Sequence, residues 1–127
     1  MDIKTEGPRD LAFVLSETSS GKLSRENVTI KAGAGKLPPG TVLGQIATGL
    51  KYVRSTHASV TGAEGAEVAK AVLMYGVDAT DADVRAVVIR RAAEVKLPML
   101  IFDATVNDAT KTATKLGQLA AELIIAR

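Results

Sequence analysis

The chain has 127 residues, 46% of them apolar, enough for one domain with a sizeable core. Sixteen basic and fourteen acidic side chains leave +2, with no dense Lys/Arg run, so nothing marks a surface that tracks nucleic-acid phosphates. Aromatics are only 3% and cysteine is absent, which argues against base-stacking modules, disulfide frameworks and thiolate metal sites.

The opening MDIKTEGPRD is polar and charged, without the apolar h-region of a signal peptide. No apolar run approaches the ~18 residues of a membrane span. Residues 1–10 are expected to form a poorly ordered arm, and 11–127 a single domain. Leu11 to Leu15 (LAFVL) reads as a short strand, and Ser16 to Lys22 as a Ser/Thr/Gly loop. Val28, Ile30 and Ala32 alternate with Asn27, Thr29 and Lys31, the period of a half-buried strand. After a Gly-rich loop, Pro39-Gly40 supplies a fixed φ followed by a residue free to take φ > 0, which predicts a type II turn. Thr41 to Ala47 restarts the chain as a strand, and Ser55 to Gly65 is a polar loop.

Lys70 to Val77 (KAVLMYGV) is a continuous apolar run, as expected for a strand buried on both faces. Gly76 marks a bulge or a close backbone approach. Asp78 to Asp83 reads as an acidic turn and Val84 to Arg91 as a further strand, pairing with 70–77 as an antiparallel hairpin. Arg90-Arg91 is expected to end that strand in solvent. Met99 to Phe102 is a short apolar run after Pro98. Asn107 or Asp108 caps a helix. Ala109, Ala113, Leu116 and Ala120 form its apolar stripe, widened by Leu119 and Leu123, with Lys111 and Lys115 on the other side. Gly117 weakens the helix by ~1 kcal/mol relative to Ala, so packing is expected to hold it. Leu123 to Ile125 is read as a final strand.

No chemical constellation emerges. His57 is the sole histidine and has only Ser55, Thr56 and Ser59 beside it. Gly33-Ala-Gly-Lys36 lacks the first P-loop glycine, where Ile30 stands, and the hydroxyl after the lysine, where Leu37 stands. Asp78, Asp81 and Asp83 miss the calcium-loop spacing. Glu64 and Glu67 sit in a polar, Gly-rich stretch with nothing to raise a carboxyl pKa. No serine has a nucleophile-elbow context. No enzyme and no cofactor are therefore expected.

The order and spacing of certain motifs are similar to a known family. Ser24-Arg-Glu-Asn-Val-Thr29, the Gly-rich loop into Pro39-Gly-Thr-Val-Leu-Gly44, and Gly62-Ala63-Glu64 ahead of a strand ending in Val77-Asp-Ala79 resemble the lambda-type phage head decoration proteins. So does the closing Ile124-Ile-Ala-Arg127, over a span of roughly 11 to 127. The resemblance implies a mainly β, α+β domain, β-clip-like, with a C-terminal helix and short final strand. It implies a homotrimer that binds the major capsid protein on expanded or mature heads and stabilises them against packaged-DNA pressure. Location on the virion capsid surface, after assembly in the host cytoplasm, goes with this. Neither direct nucleic-acid nor membrane contact is implied. The family's arm role, carried to Lys4 through Leu15, makes Lys4, Leu11, Phe13 and Leu15 the candidate capsid-binding residues. An ordinary core strand is the competing reading of Leu11, Phe13 and Leu15. Rival functions are another virion or tail adaptor, and a small-molecule-binding or enzyme-associated module on the same scaffold.

Overall fold

Ten strands, one α-helix and two short 3-10 turns make up residues 10–127, the part that the computed structural model describes. The strands are β1 (Val14–Glu17), β2 (Arg25–Ile30), β3 (Gly35–Leu37), β4 (Val42–Gln45), β5 (Tyr52–Arg54), β6 (Ala69–Leu73), β7 (Val77–Ala79), β8 (Val84–Ile89) and β9 (Ala93–Val95). Helix α1 (Ala109–Ala121) and strand β10 (Ile124–Ala126) follow. The architecture is α+β, mostly β with a C-terminal helix and a final strand.

Strands β2-β5-β4-β6-β8 close into a barrel. The longest ladder joins β2 and β8 antiparallel, from Arg25↔Ile89 to Ile30↔Val84. The contact that closes the barrel beside it is brief: β2 and β5 run parallel and pair only at Ile30↔Tyr52. Outside the barrel, β1 and β10 flank β9 in a three-stranded sheet, and β3 pairs with β7.

The apolar run of β6 is buried on both faces because each face serves a different core. Ala71 and Leu73 point into the barrel with Ile30, Leu43, Tyr52 and Val88. Val72 and Met74 point the other way, against Phe13, Val95, Leu119 and Ile124. Neighbours on the flanking strands split likewise: Val42 and Ile89 belong to the outer core, Leu43 and Val88 to the inner one. β4, β6 and β8 are thus a wall between two cores, roofed on the outside by α1 and the small sheet. The expected pairing of the two apolar segments holds, as Val72↔Ile89 and Leu73↔Val88, antiparallel.

The Pro39-Gly40 turn also forms. Gly40 has φ +91, and the Thr41 N–H closes the turn on the Pro38 carbonyl at 3.3 Å. Gly40 donates to the Leu73 carbonyl at 2.8 Å and accepts from the Ile101 N–H at 2.8 Å, which ties barrel and C-terminal segment together. Gly44 has a different reason to be glycine. It pairs with Ala69 beside a register shift, and a Cβ there would overlap the backbone of Ala66.

Several expectations need correction. The first strand is Val14–Glu17 rather than Leu11 to Leu15, because Leu11 takes φ +64 and its carbonyl accepts from the Val14 N–H in a turn. The β2 alternation stops at Ile30, and Ala32 is exposed. Residues 70–77 are two strands, since the chain bends at Met74–Tyr75 and β7 leaves the barrel to pair with β3 in the presumed Gly-rich loop. Asp78 therefore lies in a strand. The short strands β5 and β9 were not expected. Arg90 is half-buried, its Nη1 2.9 Å from Glu122.

The helix is capped by Asp108, whose Oδ1 accepts from the Lys111 N–H at 2.8 Å. Its buried face, however, is Lys115 and Leu119, while Ala109, Ala113 and Ala120 are exposed. Gly117 is exposed with open space around it, so no packing holds it. Gly117→Ala should therefore stabilise the protein by about 0.5–1 kcal/mol, the helix-interior cost of glycine. Gly44→Ala should destabilise it by about 3 kcal/mol or more, the upper end of overpacking, because a backbone carbonyl cannot step aside as a side chain can. Denaturant titration of both variants measures the pair.

Candidate functional site

The candidate residues at the start of the described chain have divergent environments. Phe13 is 1% exposed and packs in the outer core. Its carbonyl accepts from the Lys96 N–H at 2.7 Å. Leu11 is partly buried against the same core. Leu15 is 46% exposed and falls at the irregularity in the β1–β9 register, between Val14 and Ser16. Lys4 lies outside the described residues. Of the three described, Leu15 is the one on display, and Phe13 fastens the segment to the body.

Among the described residues β1 has one partner only. It pairs antiparallel with β9, and its other side is an edge. An edge strand carries backbone N–H and C=O groups available to a further strand. The apolar side chains nearby add to this surface. Ile125 of β10 is 37% exposed, and Leu123, just before it, is 65% exposed. Leu123 takes φ +61 at the end of α1, a conformation that disfavours any residue with a Cβ. Its carbonyl accepts from the Ala93 N–H at 3.1 Å, so the left-handed turn is what steers the chain from helix into β10. Sequence offered one signal here: a helix that runs into ELIIAR without a glycine to end it.

The polar groups singled out in the sequence are scattered, each in its own hydrogen bonds rather than in one site. His57 is exposed, and its N–H donates to Thr105 Oγ1 at 2.9 Å. Asp78 accepts from the hydroxyl and N–H of Thr80, and these bonds hold its carboxyl below the usual range. The Lys51 ammonium at 2.6 Å and the Ala32 N–H do the same for Asp83. Glu64 and Glu67 each accept a backbone N–H two residues upstream, from Gly62 and Gly65. Lys36 of the Gly-Ala-Gly-Lys stretch is exposed on β3, not at the start of a helix. Among the described residues no three His, Asp or Glu come together as a metal site. No described helix is long and apolar enough to cross a membrane.

Lys115 is the group that sequence reasoning misplaced. It is 1% exposed. Its Nζ donates to Ser55 Oγ at 2.9 Å, to the Thr56 carbonyl at 2.5 Å and to the Glu67 carbonyl. Three oxygens from the two ends of one long loop thus converge on an ammonium from the helix. Gln118, one turn on, accepts from the Ala69 N–H at 2.7 Å and fastens the start of β6 to the same helix. Burial pushes the Lys115 pKa below its ordinary value of 10.5, while the Glu67 and Asp103 charges oppose that shift.

The Lys115 clamp and the scattered, hydrogen-bonded carboxylates describe a scaffold, and comparison with known proteins gives its family. The sequence profile of the bacteriophage lambda head decoration protein D family matches residues 3–124. The chain belongs to that family. No curated protein matches the sequence. The family is one of structural phage head components rather than enzymes, and a head decoration protein binds the capsid and resides there in the virion. The matched region takes in the whole barrel, the small sheet as far as Ile124 and the candidate residues Lys4, Leu11, Phe13 and Leu15.

In this decoration protein the Lys115 clamp carries a stability prediction. Lys115→Met leaves three oxygens without their donor and should cost about 1–3 kcal/mol. Amide exchange should quicken across residues 55–67. The native state gives up the Lys115 proton at a lower pH than the unfolded chain does. Between those two values the unfolded state binds more protons, so wild-type stability relative to Lys115→Met should rise with pH toward 10.5. Urea melts of both proteins across alkaline pH check the sign.

Proposed function

We propose that this chain is a capsid cement protein. It binds the major capsid protein on expanded or mature heads as a homotrimer and holds neighbouring capsid subunits against the pressure of packaged DNA. The observation that carries the reading is the family match across residues 3–124, which includes the segment leading into the free edge of β1. Residues 1–10 act as an arm on the 11–127 body, which is the family's β-clip-like scaffold. The stretch from Lys4 to Leu15 forms the capsid contact. Assembly on the capsid surface takes place in the host cytoplasm.

The physics favours this division of labour. An extended partner that pairs with the arm or with β1 gains main-chain hydrogen bonds, and ordering a segment on binding keeps each contact modest. Three copies of a modest contact, joined in one trimer, become firm attachment through effective concentration. A three-fold contact is heterologous, so one patch meets a different patch on the next subunit. The exposed Leu15, Leu123 and Ile125 supply apolar surface for such contacts on and beside the small sheet.

The placement of Phe13 sets where a truncation must stop. Removing residues 1–15 deletes a core residue and half of β1, and would destroy the body along with the arm. Removing residues 1–9 leaves all of that in place. The 1–9 deletion should melt as the full chain does, yet its occupancy on purified expanded heads should fall on the order of tenfold or more, a loss of roughly 1.4 kcal/mol or more in binding. Wild-type occupancy by the truncated protein would refute the arm role. Light scattering should give a trimer, and a monomer at micromolar concentration would refute the homotrimer.

A further inference from the structure

On the barrel wall away from the small sheet, a groove opens where β2 and β5 part. After the single pair Ile30↔Tyr52 the two strands diverge. The last bond between them runs from the Lys31 N–H to the Tyr52 carbonyl at 3.1 Å. The chain after Lys31 then turns toward β7, where the Gly33 N–H donates to the Ala79 carbonyl at 2.7 Å. Backbone polar groups alternate sides along a strand. Tyr52 faces β2, Val53 faces Gly44 of β4, and Arg54 again faces the β2 side, where no strand remains. Among the described residues the Arg54 N–H and C=O have no backbone partner.

The same place collects apolar surface and positive charge. The groove has a volume of about 320 Å³ and is lined by Ala34, Val53, Val60 and Ala66, with Lys31 and Arg54 also on its walls. No carboxylate lines it. Lys31 Nζ reaches the Gly62 carbonyl at 3.4 Å, and its charge also acts on Glu64 outside the groove. The Arg54 guanidinium has no carboxylate partner among the described residues, its one bond being a 3.4 Å contact from Nη2 to the Lys36 carbonyl. Among the described residues, one residue therefore presents a main-chain donor and acceptor without backbone partners and a cation without a carboxylate at an apolar cleft.

We propose that this groove is a second docking site on the protein, and that it takes an extended, carboxylate-bearing segment of a capsid subunit, added as a strand beside Arg54. The main-chain groups of Arg54 hold the segment alongside β5, as in other strand additions. Lys31 and Arg54 select acidic side chains, and Val60 and Ala34 cover the apolar ones. The inference rests on the capsid-binding reading above. It adds a contact independent of the arm, so each copy grips its lattice at two separate places.

The chain contains no cysteine, so Val60→Cys places a single thiol at the groove. On purified expanded heads that thiol should react with maleimide on the order of tenfold more slowly than in the free protein. The double variant Lys31→Glu/Arg54→Glu should keep the wild-type melting curve and lose on the order of tenfold in head occupancy. A thiol equally reactive in both states, or a charge-reversed variant that coats heads as wild type does, would overturn the proposal. A thiol already slow in the free protein would also overturn it, since the groove would then be filled by the protein's own copies. Wild-type protein that fails to bind heads at all is a separate result, and it would remove the capsid reading itself.

Discussion

Everything in this fold leans on a wall one strand thick. β4, β6 and β8 give alternate side chains to two cores, so Leu43, Leu73 and Val88 face inward while Val42, Val72 and Ile89 face α1 and the small sheet. Such a wall has no solvent face to absorb a mistake. A one-residue slip would exchange the two sets of side chains throughout. The Pro39-Gly40 turn and the close approach of Gly44 to Ala66 pin the register at two places where no side chain could substitute.

The wall also explains how a protein nearly without aromatics holds a long helix against a barrel. Apolar area is limited on the helix side, where Leu119 is the sole fully buried apolar residue of α1. Polar bonds do the remaining fastening. Lys115 fills three acceptors at the ends of the 55–67 loop, and Gln118 takes a β6 amide. An ammonium in such a site costs free energy to desolvate, and full satisfaction of its donors is what makes the site tolerable. An apolar side chain in place of Lys115 would bury well but would leave those three oxygens without a donor and the loop without its anchor.

Much of this was legible in the residues, and what was not has a common cause. The Pro39-Gly40 turn, the doubly buried run through β6, the Asp108 cap and the final strand are local signals, and all are present. β5 and β9 escaped because three-residue strands of mixed polarity carry no period; β9 exists because β1 and β10 pair on both its sides. The helix face was misjudged for the same reason. Its alanines fit an apolar stripe, but the oxygens that surround Lys115 come from a stretch remote in sequence, 60 positions away in the case of Ser55. At the candidate contact surface the arm role implied by the resemblance takes in Lys4, Leu11, Phe13 and Leu15 together. Only packing separates the anchor, Phe13, from the displayed residue, Leu15.

The three-stranded sheet joins the two ends of the described chain: β1 begins at Val14, β10 finishes at Ala126, and both lie on β9. Contacts of such long sequence separation form late and slowly. During synthesis the barrel strands are all available before the helix and β10 emerge, but the pocket for Phe13 has no finished wall until Leu119 and Ile124 have followed. The outer core, with the seat of Phe13 in it, is therefore the last part of the fold to be completed.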